Sequence, residues 1–75
     1  MEAIDVGSRW ELVDEPNRFE VTNIYIDEDG IAQLTLDYER VDKKVSVDSE
    51  DLREMMEDGK VERINSAHEA WKRRH

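Results

Sequence analysis

Along the first half of the chain, apolar residues recur at every second position, in runs separated by turn-forming residues. Trp10 and Leu12 alternate with Arg9 and Glu11, which predicts a half-buried strand over 8–13. "DEPN", 14–17, follows as a turn, because proline presets φ and Asp and Asn tolerate turn geometry. Phe19, Val21, Ile24, Tyr25 and Ile26 give the next strand, Arg18–Ile26, high β-propensity. Strict alternation slips between Val21 and Ile24, and one extra residue there predicts a β-bulge. "DEDG", 27–30, is a hairpin signal between apolar strands. In the strand 31–38, Ala32, Leu34, Leu36 and Tyr38 share one face. "RVDKK" makes another turn, and a short strand then offers Val45 and Val47 to the interior.

From position 48 the period changes. Leu52, Met55 and Met56 fall at i, i+3 and i+4 and predict an apolar helical stripe over 49–58. Asp48 or Ser49 caps its start, and Glu50 and Asp51 sit where the macrodipole favours anions. Gly59 stands where a left-handed residue ends a helix. A last short strand, 60–64, brings Val61 to the core, with Ile64 a second candidate. The remainder, 66–75, is read as a basic tail, either a frayed helix capped by Asn65 or Ser66 or a disordered segment. The expected fold is mainly β: residues 1–65 form one small barrel-like domain, either closed or a curved antiparallel sheet, of about five strands with one helix before the last. Its core is expected to gather Trp10, Phe19, Leu34, Leu36, Leu52 and Met56.

The residues Gly7, Trp10, Phe19, Val21 and Ile24, in "GSRWELVDEPNRFEVTNI", resemble the opening of short prokaryotic and phage proteins with SH3-like barrels. The later "VSVDSEDLREMMEDGKVERI" resembles the short strand, helix and closing strand that end such proteins. The resemblance implies a barrel and little about activity. The helix is longer than the single 3₁₀ turn that the SH3 pattern places before its last strand, a departure from strict SH3 topology.

Composition changes the picture mainly through charge. Twenty Asp and Glu stand against 11 Lys and Arg in 75 residues, a net charge of −9, with 37% apolar residues. So many acids, and four Lys against seven Arg, resemble the composition of small halophilic archaeal proteins. In molar salt the Debye length is about 3 Å and carboxylate repulsion is screened. An ordinary acidic bacterial or phage protein is the other reading. No apolar run approaches the roughly 18–20 residues of a membrane span, and "MEAIDVG" lacks a signal peptide's basic start and apolar core. The expectation is a cytoplasmic protein without membrane association, a monomer or a weak homodimer.

Candidate chemistry is sparse. No cysteine is present, and the two histidines, His68 and His75, lie in the terminal tail. "DEDG" does not meet the spacing of a calcium loop. Carboxylate pairs arise from composition alone, and no acid is set in an apolar run that would raise its pKa. The chain is therefore read as a non-enzyme without metal or cofactor. Residues 1–65 carry 19 acids and 8 bases, or −11, while 66–75 carry one acid and three bases, or +2. Trp71, Lys72, Arg73 and Arg74 are thus the one basic cluster with an aromatic to stack, and the candidate interaction surface. Phosphate binding draws its affinity from basic patches, so this balance disfavours nucleic acid. Met55 and Met56 are read as the buried side of their helix, with an adaptable groove as the alternative.

Trp10 is either a recognition platform or a core plug. Burying it removes about 150–250 Å² from water, on the order of 4–6 kcal/mol gross. That matches the whole net stability of a small domain, so the core position is favoured, with the indole N–H at the rim. The functional expectation is an interaction module with a protein partner. The alternatives are a nucleic-acid-associated protein using the tail, and an accessory protein whose acidic surface mimics DNA.

Overall fold

The structure, a computed structural model, describes residues 4–74, and within them every side chain except those of Arg73 and Arg74. Five strands and two helices follow one another: β1 (Arg9–Leu12), β2 (Arg18–Ile26), β3 (Ala32–Tyr38), β4 (Lys43–Asp48), α1 (Ser49–Glu57), β5 (Val61–Arg63) and α2 (Ala67–Arg74). The strands form one sheet in the order β4-β3-β2-β1-β5. Every neighbouring pair is antiparallel. β4 and β5 are its two edges and do not pair, so the sheet is open. Of the two alternatives, the open antiparallel sheet and not the closed barrel is the one found. No helix among the described residues is long and apolar enough to cross a membrane.

The bulge lies where the alternation slips: the β2–β3 register shifts between Val21 and Asn23. It keeps Phe19 and Val21 buried while Ile24 still packs against the core. Beyond it, the end of β2 runs out of the interior and Tyr25 and Ile26 are exposed. At the hairpin, Asp27 Oδ1 accepts the N–H groups of Asp29 and Ile31, both at 2.9 Å, and Oδ2 accepts from Gln33 Nε2 at 3.0 Å. The Ile31 N–H does most to hold the Asp27 carboxyl below its ordinary value of 3.8, desolvation opposes it, and Gln33 and Asp29 add to the lowering.

α1 turns the chain from one sheet edge to the other. Asp48 Oδ1 accepts from the Glu50 N–H at 2.8 Å, the N-cap bond. At the far end Gly59 N–H donates to Met56 O and Lys60 N–H to Met55 O. That is the Schellman pattern, and it needs the φ of +71° that Gly59 supplies. α1 touches β3, β4 and β5. Only Leu52 of α1 is fully buried; Met55 and Met56 pack half-buried at the margin of the core. Met56 is therefore a border residue and not a central one.

The dry interior gathers Trp10, Phe19, Val21, Leu34, Leu36, Leu52 and Val61. Trp10 is 1% exposed, and its indole N–H is not at the rim: it donates to Ser8 Oγ at 3.0 Å inside the core. Ser8 Oγ in turn donates to the Asp5 carbonyl. Without that hydroxyl, the largest core side chain would bury an unpaired donor.

Two outcomes follow from these contacts. Ser8→Ala should lose about 1–3 kcal/mol, the cost of an orphaned buried donor, read by urea unfolding in a Trp71→Phe background; an unchanged midpoint would contradict the bond's role. For Asp27, a folded pKa below 3.8 means the carboxylate contributes stability above that value and loses it as pH falls through the folded pKa. The stability gap between wild type and Asp27→Ala should accordingly be widest at neutral pH and narrow on acidification. A gap independent of pH speaks against it.

Candidate functional site

Two surfaces carry the side chains that could act. The first is α2. Ser66, and not Asn65, caps it: Ser66 Oγ accepts from the Glu69 N–H at 3.1 Å. Asn65 is buried and clips the chain to β1. Its Oδ1 accepts from the Arg9 N–H at 2.8 Å and its Nδ2 donates to the Gly7 carbonyl at 2.9 Å. The Arg63 side chain, 6% exposed, places Nη2 3.1 Å from Asp5 Oδ1 and donates from Nε to the Asn65 carbonyl at 2.7 Å. Its guanidinium lies 6.0 Å from the Trp10 ring centroid, within cation–π range.

This clip seats α2 on the domain. Ala70 is fully buried, and Gly7 lies directly beneath it. A Cβ added to Gly7 would stand 2.6 Å from the Ala70 carbonyl oxygen, and Gly7 has a φ of +90°. Only glycine satisfies both demands. The tail is thus a packed helix over 67–74. Trp71, 56% exposed, lies on its outer side with its ring 6.2 Å from that of His68 and 20° from parallel. Lys72 is exposed as well. The side chains of Arg73 and Arg74, and His75, lie outside the described residues.

The second surface is a groove at the end of the sheet. Leu12, Tyr38, Val41, Val45 and Met55 line it, with Glu15, Asn17 and Lys43 at its margin, around a volume of about 470 Å³. A smaller hollow of about 180 Å³ shares Leu12, Glu15 and Met55 and extends toward Asp14 and Lys60. Four elements and a turn make it: β1 and β3 end there, the tight turn before β4 raises Val41, β4 adds Val45, and α1 supplies Met55. Lys43 N–H bonds back to the Val41 carbonyl at 2.8 Å, which holds that turn short. The Tyr38 ring packs on Phe19 at 5.4 Å and 52°. Burial, then the Glu15 charge, push the Tyr38 hydroxyl above its ordinary value, so it stays protonated at neutral pH.

α1 gives the groove Met55, and the exposed positions of the same helix carry Glu50, Asp51, Glu54 and Glu57 beside the cation Arg53. Of the two methionines, Met55 lines this groove, whereas Met56 lines a separate hollow with Trp10, Val61, Glu62 and Arg63. Sequence reasoning missed Val41, whose signal was a β-branched residue inside an otherwise polar turn. Among the described residues, no three His, Cys, Asp or Glu side chains converge to hold a metal ion. Comparison with protein-family models, curated proteins and solved structures finds no match in any of the three.

Gly7→Ala tests the seating of α2. The new methyl should cost about 1–3 kcal/mol of strain and release the helix, read as faster amide exchange at Ala70 with β2 and β3 still protected. Retained protection at Ala70 would show that α2 does not depend on the close approach.

Proposed function

We propose that this chain is a non-catalytic protein-interaction module, whose groove beside α1 receives a basic partner segment carrying an apolar anchor. The observation that supports it is an apolar floor, Leu12, Tyr38, Val41, Val45 and Met55, whose last member belongs to a helix with four exposed acids, Glu50, Asp51, Glu54 and Glu57. Half-exposed apolar side chains gathered at one place gain by being covered. Filling the groove with a Leu-sized side chain contributes about 1.5–3 kcal/mol. The net charge of −9 then steers a cationic partner toward the chain and repels acidic ones. One anchor with flanking charges gives a weak, fast-exchanging contact, with a Kd on the order of 10–100 µM at low salt.

A lysine-rich peptide with one central leucine is the probe, titrated into ¹⁵N-labelled protein and followed by amide shifts. Shifts should concentrate at Leu12, Tyr38, Val41, Val45, Met55 and the exposed side of α1. They should weaken between ~0.1 M and ~1 M KCl as the Debye length falls from about 10 to about 3 Å. Val41→Lys should weaken binding at least about fivefold, or roughly 1 kcal/mol, with the melting temperature unchanged. Unmoved groove residues would reject the reading. So would an oligothymidylate that binds and shifts Trp71 and Lys72, which would place the chain among nucleic-acid-associated proteins.

A further inference from the structure

The two edges of the sheet differ. β5 has three residues, whereas β4 has six and holds an unbroken register with β3 from Lys43 to Asp48. Long edges are commonly guarded by proline, bulges or inward charge. β4 has neither proline nor bulge; its guards are the lysines at its start.

The direction of its free main-chain groups follows from the ladder. The Glu39 N–H donates to the Arg18 carbonyl, and the Asp27 N–H to the Ile31 carbonyl. In an antiparallel pair these bonds fall at alternate residues. Gln33, Thr35 and Asp37 therefore point their main-chain groups at β2, and Leu34, Leu36 and Tyr38 point theirs at β4. Their β4 partners Val47 and Val45 answer inward, while at the start of the strand the Lys43 N–H is taken by the Val41 carbonyl. Lys44, Ser46 and Asp48 are left with N–H and C=O groups directed off the edge.

We propose that this edge pairs with β4 of a second copy, antiparallel, with Ser46 against Ser46 on the two-fold axis. The alternation admits only registers that set these outward-bonding residues opposite one another. Centred on Ser46, Lys44 faces Asp48 of the second copy at both ends, on the solvent side. Val45 faces Val47 of the second copy on the core side. Centred on Val45, Asp48 meets Asp42 of the second copy. Centred on Lys44, the two lysines oppose. Centred on Val47, Lys44 meets Glu50, which is already in α1. One register alone matches opposite charges and apolar pairs together. The Asp48 carbonyl opens α1, so the contact rests on the paired Ser46 groups and on each Asp48 N–H donating to a Lys44 carbonyl.

Two bodies of charge −9 repel, and at low salt that long-range term outweighs two exposed ion pairs of about 0–1 kcal/mol each. The dimer is therefore a high-salt species. Salt strengthens it, whereas salt weakens the capture of a basic segment by the groove, so the two readings fail separately.

Sedimentation equilibrium up to ~1 mM protein tests it, at ~0.1 M and ~2 M KCl. A monomer is expected at the lower salt and a monomer–dimer equilibrium at the higher. Ser46→Pro removes an outward N–H, a change edge strands tolerate, together with an exposed hydroxyl bonded to that of Tyr25, and should stay monomeric in both with wild-type far-UV circular dichroism. Lys44→Glu sets a carboxylate opposite Asp48 and should weaken association about tenfold. A wild-type monomer at ~2 M KCl overturns the proposal. So does a folded Ser46→Pro that dimerises normally, or, should that variant misfold, a Lys44→Glu that associates as wild type.

Discussion

The fold depends on Trp10 being buried with its N–H satisfied. A chain with 37% apolar residues has few large side chains to spend on an interior, and this is the largest of them. Indole burial is favourable only when the ring nitrogen keeps a partner. Ser8 provides it from two residues away, just before the same strand. The position of Ser8 is in turn fixed by Asp5, and Asp5 lies against Arg63, which covers the indole face. Residues from both ends of the described chain thus converge on one ring. β1 and β5 pair where they do because Trp10 sits between Phe19 on one side and Arg63 on the other.

α1 solves a separate problem. A five-stranded sheet with one apolar face needs a lid, and its two edges lie far apart in the strand order. A helix of nine residues that begins at one edge and ends at the other covers that face with a single fully buried leucine. Its remaining apolar residues, the two methionines, are shared between core and surface. That is why the groove is apolar: the lid is too narrow to cover all of the face it closes. The carboxylates on its outer side then keep this partly bare region solvated.

Where local chemistry decides, the sequence is readable. The bulge after Val21, the Asp27 hairpin, the Asp48 cap and the Gly59 stop all stand where composition and period put them. Phe19, Leu34, Leu36 and Leu52 are buried as their periodicity requires. What was hidden depends on distant pairs. Asn65 reads as a helix cap and is instead a clip to Gly7 and Arg9, because its buried amide finds main-chain partners there. Nothing in the local pattern marks Arg63, which is nearly covered. Ala70 and Gly7 are small because they touch, which neither segment reveals alone. The groove was half legible, in the methionine stripe, and half not, since Val41 matters only through its neighbours in space.

The clip at Asn65 joins Arg9 to a residue 56 positions away. The β2–β3–β4 hairpins close over short stretches, whereas this contact must first draw together nearly the whole length of the chain. The cover over the tryptophan that anchors the finished molecule is thus held by contacts among the most distant in the chain, and carries a correspondingly large loop-closure cost.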